Sequence, residues 1–241
     1  MIPPLHLTGS SKVLVLTGAG VSAESGVPTF RGIGGLWEGR RVEEVASPEG
    51  FDADPKLVWR FYSLRREGAA KVAPNPGHHA LARLEERLGD RFLLATQNVD
   101  GLHARSGSRR LVAIHGELFE TRCEACSKPF HDEQTYFDDV PRCPTCAARL
   151  RPNIVWFGEM LDPAHLSRIG RFIETAGRDL VFFAIGTSGQ VYPAAGFVDA
   201  AREVGGQCWL VDVDPSEAYA ARFDHVVRGP SGSVLPALFG V

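Results

Sequence analysis

Residues 12–23, KVLVLTGAGVSA, decide the fold, because a short apolar strand in this stretch runs directly into a glycine turn. Residues 12–16 form a β-branched and apolar run of the kind that is buried in a parallel sheet. Gly18, Gly20 and Ala23 fit the pattern G-x-G-x-x-G/A, in which small residues let the backbone approach a pyrophosphate at a helix N-terminus. The stretch therefore predicts a nucleotide site at the carboxyl end of the first strand.

The residues that follow depart from the ordinary dinucleotide-binding pattern. A dehydrogenase fingerprint needs a second strand that ends in an acidic residue about 20 positions on. Here the chain runs through Pro28, Phe30, Arg31 and a glycine-rich stretch to Trp37, and we expect no strand there. An oxidoreductase is a disfavoured alternative for this reason.

The composition is that of a globular protein of 241 residues, 44% hydrophobic and 23% charged, which is enough to bury a substantial core. A net charge of −3 gives no cationic field for nucleic acid, and we expect no direct nucleic-acid binding. No stretch approaches the roughly 20 apolar residues that span a bilayer, and prolines occupy the place of a signal-peptide core. We expect a soluble, cytoplasmic monomer.

Four of the five cysteines form a metal-binding pattern. Cys123 and Cys126 form one C-x-x-C pair, and Cys143 and Cys146 form another sixteen residues further on. This spacing is typical of a four-thiolate zinc site, which leaves no open coordination position and therefore holds structure. Two disulfides or four unrelated thiols are the alternative. Cys208 stands in an apolar run and is expected to be a small buried hydrophobe.

Apolar strands alternate with helical patterns along much of the chain, which predicts a doubly wound parallel sheet. Strands are predicted at 12–16, 92–95, 111–114, 180–185 and 208–211, and helices at 55–71, 77–88 and 193–204. We expect an α/β, Rossmann-like NAD-binding domain (residues 1–36, 77–118 and 152–241). A smaller inserted domain would consist of a helical module (37–76) and the zinc ribbon (119–151).

Four motifs together resemble the sirtuin family: GAGVSAESGVPTFRG at 18–32, TQNVDGLH at 96–103, IHG at 114–116 and GTS at 186–188. They occur in this order, and the resemblance extends from about 13 to 238. It implies an NAD-dependent protein-lysine deacylase, a transferase that uses NAD as a co-substrate and releases nicotinamide and O-acyl-ADP-ribose. NAD and substrate would meet in the cleft between the two domains.

His115 is the candidate general base. It follows a predicted strand, at the edge where open α/β sheets bind ligands, although a hydrogen-bonded boundary histidine fits the same pattern. The resemblance implies that it accepts a proton from a ribose hydroxyl of NAD. Gln97, Asn98 and Asp100 are loop-forming residues on their own evidence, but in the family Asn98 and Asp100 would hold the nicotinamide ribose and carboxamide.

The resemblance implies further cofactor contacts. Phe30 would cover the reactive face of NAD and Arg31 would contact phosphate, while Asp212 ends a strand at the adenosine ribose, where sirtuins often have asparagine. The full set of expected cofactor residues is Gly18, Ala19, Gly20, Ala23, Phe30, Arg31, Trp37, Gln97, Asn98, Asp100, Gly186, Thr187, Ser188, Asp212 and Ser231.

Substrate choice depends on Tyr62 and Arg65 in FYSLRRE. On the predicted helix they share a face beside an apolar stripe made of Leu57, Val58, Phe61 and Leu64. Without the resemblance, an arginine and a tyrosine at the edge of an amphipathic helix are the simpler explanation of this pattern. The Tyr-x-x-Arg pair resembles sirtuins that remove acidic acyl groups, because a guanidinium and a phenol pair with a carboxylate.

The remaining expected substrate contacts come from two segments. Gly50 would leave room for a longer acyl chain. VWFGE at 155–159 resembles the family segment that pairs with a substrate peptide by adding a strand, and read alone it predicts a strand over 153–157. Expected contacts there are Val155, Phe157, Gly158 and Glu159, and the expected partners are proteins with acylated lysines. Mono-ADP-ribosyl transfer and a zinc-ribbon binding module compete with deacylation as functions for this chain.

Overall fold

The computed structural model describes residues 4–28, 36–37, 40–126 and 128–241, and six strands among them form one parallel sheet. The strands along the chain are β1 (Lys12–Thr17), β2 (Leu36–Trp37), β3 (Arg40–Arg41), β4 (Phe92–Thr96), β5 (Leu111–Ala113), β6 (Gly116–Cys123), β7 (Pro129–His131), β8 (Leu150–Ile154), β9 (Leu180–Ile185), β10 (Gln207–Asp212) and β11 (His225–Arg228). The order across the large sheet is β11, β10, β9, β1, β4, β5. Because the chain builds one side of β1 and then the other, the sheet is doubly wound, as predicted.

Several strands are missing from the sequence prediction, among them β11 and the pair of β2 and β3. β11 is the edge strand of the large sheet, and HVVR offers only two apolar residues to signal it. The segment expected to contain no strand holds the antiparallel pair of β2 and β3. Each of these strands is two residues long, which is too short to carry a hydrophobic period.

The helices begin at strong sequence signals. The α-helices in the described residues are α1 (Pro48–Ala53), α2 (Pro55–Lys71), α3 (Pro76–Leu88), α4 (Leu102–Arg105), α5 (Pro163–Ala176), α6 (Phe197–Glu203), α7 (Glu217–Ala220) and α8 (Ser231–Phe239). The side chains of Asp54, Asn75 and Asp162 cap α2, α3 and α5, and each is followed by proline, the preferred first helical residue. In the described part of the chain, no helix combines the length and apolar character needed to cross a membrane.

Both faces of the large sheet are covered by helices. Alternate residues of β1 point to opposite faces: Leu14 and Leu16 belong to one apolar cluster with residues of α5 and α6. Val13 and Val15 belong to another with residues of α3 and α8. Because both faces are buried, the carboxyl edge of the strands is where loops can form a ligand site.

A second, antiparallel sheet has the order β7, β6, β8 and packs against α2. Trp59 and Phe61 of α2 share a third apolar cluster with Leu118 of β6 and Leu150 of β8. The indole of Trp59 also donates a hydrogen bond to the Leu150 carbonyl (3.0 Å). The helix that carries Tyr62 and Arg65 is therefore fixed to the strands that flank the cysteine pairs.

The buried face of α2 differs from the predicted apolar stripe. Leu64 is 37% exposed, whereas Tyr62, Ser63 and Arg66 are buried. The predicted apolar stripe was wrong at Leu64, which is exposed. The buried face of α2 instead includes polar side chains that form hydrogen bonds, and a pattern of hydrophobic residues does not reveal these. Ser63 Oγ, for example, donates to the Tyr136 carbonyl (3.1 Å).

Arg66 joins α2 to the second sheet and the loop after it. Its Nε donates to the Leu118 carbonyl (2.8 Å). One terminal nitrogen, Nη1, donates to the Asp132 carboxylate (3.2 Å) and to the Gln134 carbonyl (2.6 Å). The other, Nη2, donates to the Glu120 carbonyl (3.2 Å) and to the Thr121 hydroxyl (2.9 Å). The residue is 1% exposed. All five N–H donors of a guanidinium therefore have a partner.

We expect Arg66→Met to lower the free energy of unfolding by about 3–5 kcal/mol, because it leaves Asp132 buried without its cation and several carbonyls unpaired. Urea denaturation measures the change. Lys56→Met, at an exposed position of the same helix, is the matched control and should stay within about 0.5 kcal/mol of the parent. Equal midpoints for the two variants would contradict the role of Arg66.

Candidate active site

Two glycine turns meet at the carboxyl edge of the sheet, where the strand order reverses between β1 and β9. Gly18 N–H donates to the Ile185 carbonyl (3.0 Å) and Gly20 N–H to the Gly186 carbonyl (2.9 Å). A Cβ at Gly20 would lie 2.6 Å from the Gly186 Cα, and one at Gly18 would lie 2.7 Å from the Gly186 oxygen. Glycine is therefore required for the turns to contact each other, and the site lies at the switch point where such folds bind ligands.

The first turn continues into a 3-10 helix, Ala19–Ser25, rather than a long α-helix. Ala19 is half-buried and Ala23 is exposed. In the second turn Thr187 is buried and Ser188 is exposed. Gln97 Nε2 donates to Thr187 Oγ1 (2.9 Å), so the loop after β4 contacts the loop after β9 across the end of β1.

Ser22 is the centre of a buried polar cluster that sequence reasoning did not single out. Its hydroxyl donates to Asp100 Oδ2 (2.7 Å) and accepts from Asn98 Nδ2 (3.1 Å). The Nε2 atom of His78 lies 3.4 Å from the Ser22 Oγ. The expected residues Asn98 and Asp100 are thus brought together, and a serine inside the glycine motif was the only signal for the residue that joins them.

His115 follows β5 and lies between the loop after β4 and the segment after β8. Its Nδ1 is 3.2 Å from the Gln97 carbonyl. A carbonyl oxygen only accepts, so Nδ1 carries the proton and Nε2 keeps a free lone pair. Burial lowers the pKa of His115, and the hydrogen bond to Gln97 opposes this shift, so the imidazole is neutral and able to accept a proton near pH 7.

The segment after β8 is not the strand expected over 153–157. β8 ends at Ile154, after which Val155 N–H donates to the His115 carbonyl and Phe157 N–H to the Ala46 carbonyl (both 2.9 Å). After Ile154 the chain therefore leaves the second, antiparallel sheet and forms hydrogen bonds with the segments that contain His115 and Ala46. Phe157 is 53% exposed, and Gly158 is exposed with a φ of +86°.

Glu159 is held by hydrogen bonds within the fold. Its carboxylate accepts from Arg151 at both oxygens (2.8 and 2.9 Å), from Arg122 (3.3 Å) and from the backbone N–H of Trp156 (2.8 Å). These partners lower the pKa of Glu159 against the effect of its burial. Both oxygens accept hydrogen bonds within the fold, so the carboxylate of Glu159 shapes the segment, and its expected contact with a substrate stays a prediction.

Tyr62 and Arg65 lie together on α2, beside the loop after β4. The Tyr62 hydroxyl accepts a hydrogen bond from Trp156 Nε1 (2.9 Å), and burial raises the pKa of Tyr62 to about 12. The Arg65 guanidinium carbon is 5.7 Å from the centroid of the Tyr62 ring. Burial lowers the pKa of Arg65, while Tyr62 and Asp100 act in the opposite direction, so Arg65 lies within the electrostatic range of the Asp100 carboxylate.

Gly50 lies where two segments of backbone approach each other closely. A Cβ at this position would overlap the Glu44 carbonyl, so the missing side chain allows a turn of α1 to approach the preceding backbone. The expectation that Gly50 leaves room for a longer acyl chain stays a prediction.

The remaining expected cofactor residues lie at two places. Asp212 ends β10 and is 3% exposed, and its Oδ1 accepts from Asp214 N–H (2.9 Å). Ser231 begins α8, and its hydroxyl donates to Glu24 (3.2 Å) on the helix after the first glycine turn. Phe30 and Arg31 lie outside the described residues, as does the side chain of Trp37 in β2.

The four cysteines of the predicted zinc site come together. All are free, which excludes the disulfide alternative here, and the Sγ atoms of Cys123, Cys126, Cys143 and Cys146 lie within 4.8 Å of one another. Zinc–sulfur bonds of about 2.3 Å in a tetrahedron place sulfurs about 3.8 Å apart. Hydrogen bonds from the Thr145 and Cys146 N–H groups lower the pKa of Cys143 to about 6, whereas hydrogen bonds with the neighbouring thiols raise the pKa of Cys126 to about 12. The site fits one structural zinc ion.

Removing the zinc ligands should unfold this part of the protein. We expect the Cys143→Ala variant to lose the one zinc ion bound per chain. Its melting temperature should fall by about 10 °C or more, because each kcal/mol of lost stability lowers the melting temperature of a chain of this size by about 2–4 °C. Metal analysis and thermal denaturation provide the measurement. Cys208→Ala is the matched control: Cys208 is buried in the core of the large sheet and its loss should leave the zinc content intact. Full zinc occupancy in Cys143→Ala would contradict the assignment.

The doubly wound sheet, the glycine turns at its switch point and the four-cysteine cluster define an α/β nucleotide-binding protein with a zinc ribbon. The chain belongs to the Sir2 family, whose model matches residues 18–193. This confirms the resemblance to sirtuins.

Its relatives match nearly the whole chain. The NAD-dependent protein deacylase of Salmonella typhimurium is 46% identical over 228 residues, covering 93% of this chain and 81% of the relative. That of Pyrococcus abyssi is 44% identical over 236 residues, covering 95% and 92%. Among solved structures, a Sir2 homolog–NAD complex has a TM-score of 0.87 and 43% identity, covering 95% of this chain and 89% of the other.

Proposed function

We propose that the protein is an NAD-dependent protein-lysine deacylase that removes acidic acyl groups, succinyl and malonyl, and also removes acetyl more weakly. Membership of the Sir2 family and relatives named as NAD-dependent protein deacylases support the deacylase activity. One observation carries the acidic preference: Tyr62 and Arg65 lie on α2 beside the loop that holds Asn98 and Asp100.

NAD, when bound, supplies a nicotinamide–ribose bond whose cleavage makes the sugar carbon electrophilic toward the acyl oxygen. Asn98 and Asp100, joined through Ser22, would hold the nicotinamide end in a fixed orientation, which lowers the entropic part of the barrier. His115 Nε2 would accept a proton from a ribose hydroxyl, because its other nitrogen is engaged by Gln97. Water then completes the release of lysine, and nicotinamide and O-acyl-ADP-ribose are the other products.

Selection of the acyl group follows from charge. A terminal carboxylate would accept hydrogen bonds from the Arg65 guanidinium and the Tyr62 hydroxyl, and bonds to a charged group are worth about 1.5–3 kcal/mol each. An acetyl group makes neither bond and leaves the cation without its substrate partner, so its kcat/KM should be lower.

The protein substrate would bind along the segment after β8. The N–H groups of Val155 and Phe157 are bonded within the fold, so an extended peptide would pair with other backbone groups of Val155, Phe157 and Gly158, which would give loose preference for the flanking sequence. The proposal includes the expected division into a nucleotide domain (1–36, 77–118 and 152–241) and a small domain (37–76 and 119–151), with the cleft between them as the meeting place. It also includes a cytoplasmic monomer without direct nucleic-acid partners.

The test is a set of matched peptides that carry acetyl-, malonyl- or succinyl-lysine, incubated with and without NAD and analysed by mass spectrometry. We expect free lysine only with NAD, and a higher kcat/KM for the acidic acyl groups. Transfer of ADP-ribose to a peptide without loss of its acyl group would favour mono-ADP-ribosylation instead. Formation of NADH would favour an oxidoreductase.

A further inference from the structure

A single indole connects the segment after β8 with the acyl-binding helix. Trp156 is 3% exposed, and its Nε1–H donates to the hydroxyl oxygen of Tyr62 (2.9 Å), which is 1% exposed. An indole nitrogen is a donor only. The Tyr62 oxygen must therefore accept this bond, and its own proton must point away from Trp156.

The proton of Tyr62 remains available for a ligand. In the described part of the chain, Trp156 is the hydrogen-bond partner of this hydroxyl. Burial raises the pKa of Tyr62 to about 12, so the phenol is neutral at physiological pH. A neutral phenol whose oxygen already accepts one bond is a donor with a restricted direction.

The surroundings of Tyr62 include residues next to the proposed acyl site. Tyr62 shares an apolar cluster with Val99, which stands between Asn98 and Asp100. Arg65 lies over the rings of Phe61 and Tyr62, at 5.4 and 5.7 Å from their centroids. The phenol and the guanidinium therefore flank the same edge of α2, next to the loop expected to hold the ribose.

Trp156 is itself held on several sides. The Arg151 guanidinium carbon lies 3.4 Å from the centroid of its ring, and the Glu159 carboxylate binds both Arg151 and the Trp156 backbone N–H. The Phe51 ring packs against the indole with the centroids 5.3 Å apart. These contacts restrict the orientation of the indole, so Trp156 can fix the group that it binds.

We propose that Trp156 is a positioning residue for acyl selection: its indole N–H occupies the Tyr62 oxygen and directs the phenol proton toward the carboxylate of an acidic acyl group. This inference rests on the proposed preference for acidic acyl groups. Arg151 and Glu159 serve the same end by holding the indole.

Trp156→Phe keeps an aromatic ring and removes the N–H. We expect kcat/KM for a succinyl peptide to fall about ten-fold, as expected when a hydrogen bond to a charged group is misdirected. The value for the acetyl peptide should fall less than about three-fold, since acetyl makes no bond to Tyr62. Trp59→Phe is the matched control, because it also removes a buried indole donor from the same apolar cluster. It should lower both values by the same factor.

A double-mutant cycle separates positioning from packing. If Trp156 acts through the phenol, Trp156→Phe should add little to Tyr62→Phe, and the succinyl-to-acetyl ratio of the double variant should match that of Tyr62→Phe. Independent, additive effects on this ratio would overturn the proposal. Thermal unfolding of each variant shows whether it is folded.

A second substitution keeps the test valid if Trp156→Phe does not fold. Replacement of Trp156 by β-(3-benzothienyl)alanine preserves the bicyclic shape and exchanges N–H for sulfur, and the same selective loss is expected. Equal losses on both peptides would overturn the role of Trp156 while leaving the deacylase intact. A parent enzyme without preference for succinyl over acetyl would overturn both the acidic preference and this inference.

Discussion

Replacing His115 with asparagine should lower kcat/KM for every acyl-lysine peptide by about 10²- to 10⁴-fold, the range typical of a lost general base. The asparagine amide can still donate to the Gln97 carbonyl where His115 Nδ1 does now, so the local fold should persist. The variant has no lone pair of suitable basicity in place of Nε2. Steady-state kinetics on acetyl and succinyl peptides measures the loss, and the same factor is expected for both.

The pH profile provides an independent check on His115. Burial holds its pKa below the ordinary 6.5, so the neutral, base-competent form is fully present above this pH and is lost as the pH falls through the lowered value. We therefore expect kcat/KM to be flat from about pH 8 to about 6.5 and to decline below it. His79→Asn, an exposed neighbour on α3, should retain the parent profile. A decline that begins well above pH 6.5 would assign the proton transfer to another group.

Arg65→Met should abolish the preference for acidic acyl groups, with a fall of about 10²-fold in kcat/KM for succinyl peptides. Two hydrogen bonds from one guanidinium to a carboxylate account for a loss of this size. Acetyl removal should change little, because acetyl has no charge to pair with Arg65. The measurement is the ratio of the succinyl to the acetyl kcat/KM.

Two variants calibrate this result. Arg65→Lys keeps the positive charge but loses the planar fork, and we expect it to retain part of the preference. Arg60→Met removes an exposed arginine from the same helix and should keep the parent ratio. Equal losses on all peptides after Arg65→Met would indicate a structural role for Arg65 and contradict the acyl-site assignment.

Regular patterns made most of the fold predictable. The strands β1, β4 and β9 are continuous apolar runs, which parallel strands with two covered faces require, and the helix α2 begins at an aspartate–proline pair that caps it. The cysteine spacing likewise placed four thiolates together. These signals are local, so a sequence displays them directly.

The contacts that shape the site were less predictable, because they join segments distant in sequence. Trp156 and Tyr62 are 94 positions apart, and Ser22 and Asp100 are 78 apart. Glu159 was expected at the substrate segment through the resemblance alone, and the sequence does not reveal that Arg151 pairs with its carboxylate inside the fold. Gly50 is small because a backbone carbonyl approaches it, and neighbouring residues do not reveal that approach.

We propose that NAD is consumed as a reagent in the cleft at the ends of β1, β4 and β9. The most direct measurement counts the nicotinamide released and the lysine freed in the same reaction, using a succinyl-lysine peptide with and without NAD. We predict equal amounts of the two products with NAD and neither without it. Free lysine in the absence of NAD, or loss of NAD without nicotinamide, would contradict the account.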